Sequence, residues 1–175
     1  RADSAATRTA RFSPDGKFLA YGILGAKPGL QGDIAVIPLA GGPEVPVVVD
    51  RAQDILVGWS PDGKQLLFTS DREGTRSLYA VPFLNGKAQG APIRIKQDLS
   101  SDFLRLSASG ELYYEIRGAS RSDIKIASYD FAAERFTAPP VLGVKDFAGH
   151  NSIPDWSPDG KYLVNTSDRD SQILV

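Results

Sequence analysis

The sequence has no cysteine and no methionine, a single histidine, and only two tryptophans in 175 residues. Without cysteine there is no disulfide framework and no thiolate chemistry, an absence compatible with either redox compartment. Neither sign of charge is in excess. The net charge is −1, and the chain has no Lys/Arg run and no acidic tail. Nucleic acid is therefore not an expected partner, because neutralising phosphates needs clustered cations. No apolar run approaches the ~20 residues needed to span a bilayer, so membrane insertion is not expected. No stretch carries convincing helical periodicity. Residue 1 is Arg and Met occurs nowhere, so the chain is expected to be less than a complete primary translation product. A removed signal peptide, a single domain of a longer protein and a proteolytic fragment each fit.

What is present is a repeat. Trp59-Ser60-Pro61-Asp62-Gly63-Lys64 recurs as Phe12 to Lys17 and as Trp156 to Lys161, with a worn copy at Leu106-Ser107-Ala108-Ser109-Gly110-Glu111. The copies begin 47, 47 and 50 residues apart. A period of that size marks a repeat architecture. In each hexamer, Pro presets the second position of a type I turn, Asp tolerates the third, and Gly takes the left-handed position that follows. The hexamer thus builds a hairpin, and its Asp needs no chemistry to explain it.

Short apolar runs flank every hexamer, and four strands fit in one period, which is one blade of a β-propeller. The expected class is all-β, with three full four-stranded antiparallel blades and an incomplete fourth, spanning about 7–49, 54–96, 102–144 and 150–175 after a tail at 1–6. Leu19, Leu66, Tyr113 and Leu163 are read as one repeat position, and Ile34, Leu78, Ile124 and Ile173 as another. Pro46 places the fourth strand of the first blade on an edge, since proline cannot donate to an interior ladder. The aromatic residues, including Trp59 and Trp156, are read as core between blades.

These repeats resemble the TolB-like, or WD-repeat-like, propeller family. The likeness rests on the hexamers, on Ser70-Asp71-Arg72 and Ser167-Asp168-Arg169, and on strands such as Leu78 to Val81. It covers about Arg11 to Val175; the third unit departs from it, lacking Trp, Pro and Asp in its turn. The resemblance implies a scaffold without catalytic residues in this chain, binding a protein or peptide, in a bacterial periplasmic or secreted protein. A second reading is the accessory, gating propeller of a serine peptidase of the prolyl-oligopeptidase or tricorn-like type, whose catalytic residues lie in another domain. The oligogalacturonate lyase type of propeller needs several metal-ligating histidines, and only His150 exists here. Three blades and a fraction do not close a ring, so a part of a larger propeller is expected. The open edge of the unfinished last blade would template self-association.

The candidate binding residues lie in the loops before the first strand of the fourth, second and third blades: His150 and Asn151; Asp50, Arg51 and Asp54; Asp98 and Asp102. Together they could line an acidic rim that receives a cation or a basic peptide, although Asp is also common in turns for backbone reasons. A lone histidine is ordinarily a surface or hydrogen-bonded residue. Asp71-Arg72 and Asp168-Arg169 read as matching turns whose arginines bridge blades, an exposed pairing of small energetic weight. No nucleophile elbow, zinc-helix motif, P-loop, dinucleotide fingerprint or EF-hand run is present, so neither catalytic residues, nor a metal, nor a cofactor is expected.

Overall fold

The computed structural model describes residues 7–23, 32–99, 104–107, 109–117, 122–143 and 151–167, all of them strand, turn or loop. The chain divides into two compact units, Arg1–Leu99 and Ser100–Val175.

In the first unit, β1 (Thr7–Phe12), β2 (Phe18–Ile23), β3 (Asp33–Pro38) and β4 (Val45–Val48) form one antiparallel sheet in chain order. Pro46 sits on its edge strand β4. The second sheet joins β5 (Ile55–Trp59), β6 (Gln65–Ser70) and β7 (Ser77–Leu84), and β7 continues into a two-residue strand β8 (Lys87–Ala88). Asn85 and Gly86 join β7 to β8, both with positive φ, 52° and 78°. That is the two-residue hairpin turn which Asn-Gly favours. The outer strand of this blade is β9 (Ile93–Lys96), on β7.

The second unit repeats the plan with β10 (Leu104–Leu106), β11 (Glu111–Arg117) and β12 (Ser122–Asp130). The short β13 (Arg135–Phe136) extends β12, and β14 (Val141–Leu142) pairs with its middle. The last pair is β15 (Asn151–Trp156) with β16 (Leu163–Ser167). The tail at 1–6 and the last expected strand, Ile173 to Val175, lie outside the described residues.

The hexamer turn is built by side chains as much as by backbone. Ser60 Oγ donates to Asp62 Oδ1 at 2.6 Å and accepts from Gln65 N at 2.9 Å; Lys64 N donates to the same carboxylate oxygen at 3.0 Å. The first and last hexamers reproduce this set, with Ser to Asp at 2.7 Å and 2.5 Å. Gly16, Gly63 and Gly160 take φ of 67°, 70° and 70°. In the worn copy, Ser109 Oγ stands 2.8 Å from Ser107 Oγ, in the place of the Asp carboxylate.

That copy is also one residue shorter. Ser60 N bonds to Gln65 O, five residues on, whereas Ser107 N bonds to Glu111 O, four residues on. Phe12, Trp59 and Trp156 pair with Leu19, Leu66 and Leu163, but Leu106 pairs with Leu112. The repeat equivalent of Leu66 is therefore Leu112, correcting the assignment to Tyr113. A slip of one residue moves a strand side chain to the other face of its sheet. The equivalence of Ile34, Leu78 and Ile124 stands, since each faces its partner at the matching step of the ladder. Ile173 lies outside the described residues.

The core of the first unit is the seam between its two blades. The second blade presents Trp59, Leu66, Phe68, Tyr79 and Val81; the first answers with Ala20, Ile34, Val36 and Val48, all buried. Trp59 is the anchor. Its indole N–H donates to Arg11 O at 3.1 Å, and its ring lies 5.0 Å from Phe83 and 6.4 Å from Phe18. In the second unit, Trp156 meets Tyr113 edge-on at 6.1 Å. Continuous apolar runs such as Leu66-Leu67-Phe68, buried on both faces, are what a sheet covered on both sides requires.

Candidate functional site

Each blade has two ends. The hexamer turns occupy one. At the other end of the second blade, about 17 Å away along the five residues of β5, the loop before β5 meets the turn between β6 and β7.

Asp54, the residue before β5, has a fully buried side chain (0% exposed). Its Oδ1 accepts from Arg72 Nη2 at 3.0 Å, while its Oδ2 is buried without a hydrogen-bond partner. Arg72 is only 17% exposed, and it is held on every side. Its Nε donates to Ser70 Oγ at 3.0 Å, and its guanidinium carbon lies 5.1 Å and 5.0 Å from the ring centres of Phe68 and Tyr79. A cation over aromatic faces is attracted by the ring quadrupole, more strongly where water is excluded. Asp50 Oδ2 stands 3.8 Å from Arg72 Nη1. Asp50 Oδ1 accepts from its own loop, at Arg51 N (2.6 Å) and Ala52 N (3.3 Å).

The two strand ends are tied a second time. Gln53 N donates to Asp71 Oδ1 at 2.8 Å, and Gln53 Oε1 accepts from Arg76 Nη2. Arg76 O in turn accepts from Leu99 N at 2.7 Å, which brings Asp98 to this end. Asp98 is exposed and has a left-handed φ of 54°. Gly32 closes the cluster from the first blade. A Cβ there would meet Asp54 O at 3.0 Å, and its φ is +96°, so the site requires glycine on both counts.

Burial pushes the Asp54 carboxyl above its ordinary range. The Ser70 hydroxyl and the Arg72 guanidinium oppose that rise, and the Asp50 charge adds to it. Burial also raises the Tyr79 hydroxyl, with Glu73 adding to the shift. At the hexamer end, Asp15 and Asp159 are lowered by the Ser13 and Ser157 hydroxyls and by the Lys17 and Lys161 amides. Asp62 is lowered as well: burial opposes the shift, but the Ser60 hydroxyl and Lys64 amide outweigh it.

The structure thus brings Asp50, Arg51, Asp54 and Asp98 to one end of the second blade and divides them. Asp54 is an internal anchor, Asp50 is half engaged with Arg72, and Arg51 and Asp98 are exposed. Asn151 belongs to the second unit. It is buried, and its Oδ1 accepts from Asn165 Nδ2 at 3.0 Å. His150 and Asp102 lie outside the described residues. Arg72, expected as an exposed bridge between blades, instead holds the loop before β5 of its own blade. Sequence reading missed that partnership because Asp54 and Arg72 lie 18 residues apart on different strands. Among the described residues, no group of three or more His, Asp or Glu is placed to hold a metal.

This geometry, antiparallel blades hinged by hexamer turns and sealed by aromatic seams, is that of β-propeller blades, and it is similar to that of solved TolB structures. Solved structures share it. TolB from Acinetobacter baumannii matches with a TM-score of 0.63 at 23% identity, over 98% of this chain and 39% of that one. A putative TolB from Agrobacterium tumefaciens matches at 0.65 and 22%, over 94% and 60%. A prolyl endopeptidase structure matches at 0.65 and 16% identity, over 90% of this chain and 23% of that one. The chain therefore spans less than two thirds of these propeller proteins. No protein-family model and no curated protein matches it.

Proposed function

We propose that the chain is a non-catalytic propeller module that binds a protein partner through the loop end of its second blade, with Arg51 and Asp98 as exposed contacts and Asp50 beside them. The observation that carries this reading is the Asp54–Arg72 buttress. A buried carboxylate and a guanidinium clamped over two rings hold the loop before β5 in one conformation. Preorganisation of this kind reduces the ordering cost of association. The exposed groups are of mixed sign, which suits a partner of mixed charge better than a bare cation. Likeness to TolB propellers supports both the protein-binding role and a periplasmic or secreted location. A buried, hydrogen-bonded Asn151 contributes to the corresponding end of the fourth blade as an anchor. His150 and Asp102 are proposed as contacts of the second unit.

Likeness to a prolyl endopeptidase propeller favours a second reading, in which the module gates a peptidase domain elsewhere in the parent protein. The two readings separate experimentally. The chain, immobilised and exposed to an envelope extract, should retain a discrete partner. The double variant Arg51→Glu/Asp98→Lys should lose it, and Lys17→Glu at the hexamer end should keep it. Equal capture by all three would refute the loop-end assignment, and peptide cleavage by the purified chain would refute a non-catalytic module.

A further inference from the structure

Four bonds in the chain join an Asp or Asn to a glycine: Asp15-Gly16, Asp62-Gly63, Asp159-Gly160 and Asn85-Gly86. At such a bond the glycine nitrogen can attack the side-chain carbonyl carbon and close a five-membered succinimide, since glycine has no Cβ to obstruct the ring. The structure guards three of the four. In each hexamer the Asp carboxylate accepts from the serine hydroxyl, at 2.7, 2.6 and 2.5 Å in chain order. It also accepts from the lysine amide two residues on, at 3.1, 3.0 and 3.2 Å. The attacking nitrogen is held too: Gly16, Gly63 and Gly160 N–H donate to Ser13, Ser60 and Ser157 O at 2.9, 2.9 and 2.8 Å. The three carboxyls lie below their ordinary range and stay ionised. An ionised carboxylate is a poor electrophile.

Asn85 has none of these guards. Its side chain is exposed, and as a neutral amide it can lose ammonia. Among the described residues, neither its carboxamide nor Gly86 N–H makes a hydrogen bond. The other two of the chain's three asparagines are protected: Asn151 and Asn165 are buried and bonded to each other at 3.0 Å. Asn85 and Gly86 are also the whole of the loop between β7 and β8, where Leu84 pairs with Lys87. Beneath that loop lies the seam of the first unit. A Cβ on Gly86 would stand 3.6 Å from Phe18 Cε1. Phe83, just before the turn, is buried with its ring 5.4 Å from Phe18 and 5.0 Å from Trp59.

We infer that Asn85 is a site of spontaneous deamidation in the folded chain, and that its isoaspartyl product loosens the seam around Phe18 and Trp59. Gly86 N loses its proton to hydroxide and bonds to Asn85 Cγ; the Cγ–Nδ2 bond breaks, and ammonia leaves with a proton from water. Water then opens the succinimide at either carbonyl. Opening at the backbone carbonyl leaves the main chain running through Cγ, with a free carboxylate on Cα. The net charge becomes one unit more negative than −1. The main chain gains one methylene in a loop of two residues, and loop length and turn type fix the register of a hairpin. The pairing of Phe83 with Ala88 is thereby lost, and Ala88 packs on the seam beside Phe18. The inference uses neither Arg51 nor Asp98 and is independent of the partner-binding role.

Peptide mapping by mass spectrometry tests it on the full chain aged in warm, mildly alkaline buffer. A gain of one mass unit should appear at Asn85 at least tenfold faster than at Asn151 or Asn165. An isoaspartate-specific methyltransferase with a labelled methyl donor should label the same peptide. In urea, where the hexamer guards are lost, label should also appear at Asp15, Asp62 and Asp159, at least tenfold faster than in the folded chain. Aged protein should unfold at lower urea than fresh protein, followed by Trp59 in a Trp156→Phe background. Asn85→Gly, which keeps a Gly-Gly turn, should not change with age. Fresh Asn85→Asp, which adds the charge without the methylene, should stay close to fresh wild type. No mass gain at Asn85, or hexamer labelling as fast in the folded chain as in urea, would overturn the inference. So would isoaspartate at Asn85 that leaves the urea midpoint unchanged.

Discussion

Replacing Arg72 by alanine removes the guanidinium that faces a fully buried carboxylate and leaves Asp54, among the described residues, with no cation at hydrogen-bonding distance. Breaking a buried pair from this side costs about 3–5 kcal/mol, because an uncompensated charge stays inside. The reverse substitution is gentler. In Asp54→Ala, Arg72 keeps Ser70 at 3.0 Å, Asp50 at 3.8 Å and the faces of Phe68 and Tyr79. Its cost should be about 1–2 kcal/mol. The pH dependence has a definite sign. Burial raises the folded-state pKa of Asp54 above the ordinary 3.8. Its ionised form therefore costs stability at neutral pH, and stability is regained as pH falls through the raised value towards 3.8. Loss of Arg72 removes a group that lowers that pKa, so Arg72→Ala should recover more stability on acidification than the wild type does. Arg72→Ala/Asp54→Asn should lose this dependence. Urea unfolding between pH 4.5 and 7.5, followed by Trp59 in a Trp156→Phe background, measures all four proteins. An Arg72→Ala cost below about 1 kcal/mol, or one smaller than that of Asp54→Ala, would refute the buttress.

Other expected outcomes follow from the seam and the turns. Trp59→Phe forfeits the indole bond to Arg11 O and should cost about 1–2 kcal/mol, while Trp59→Ala, which opens the seam, should cost about 3–5 kcal/mol by thermal or urea unfolding. Ser60→Ala strands the Gln65 N–H and removes a donor to Asp62, and should cost about 1–3 kcal/mol in the same assay. The turn aspartates have folded pKa values below 3.8, so their contribution is fully present above that value and is lost as pH falls through the folded ones. Acid unfolding of Asp15→Asn/Asp62→Asn/Asp159→Asn should accordingly be shallower below pH 3.8 than that of the wild type. Gly32→Ala should destabilise the first unit by about 1–3 kcal/mol, since it combines a positive φ with a Cβ against Asp54 O.

The architecture was legible because the hexamer encodes its own turn: Ser, Asp and Gly at fixed offsets leave one way to close the hairpin, and its period sets the blade count. The third turn shows the limit of that reading. With Pro and Asp gone, nothing in Leu106 to Glu111 reveals that one residue is missing, yet that residue decides whether Leu112 or Tyr113 takes the position of Leu66. The Asn85-Gly86 hairpin is a local signal too, but it extends a blade already counted. The loop end was harder. Asp50, Asp54 and Asp98 look alike in sequence as turn aspartates, and only the long reach of Arg72 makes one an internal anchor and leaves another exposed. A partnership between residues on different strands has no local signature, whereas turn chemistry does.

The most direct test of the account is where a partner touches the chain. A photo-crosslinking residue at position 51, on the loop held by Arg72, should give one discrete adduct in an envelope extract, and the same residue at position 61, in the hexamer turn, should give none. Adducts from position 61 alone, or equally from both, would contradict the division of the second blade into a binding end and a scaffolding end.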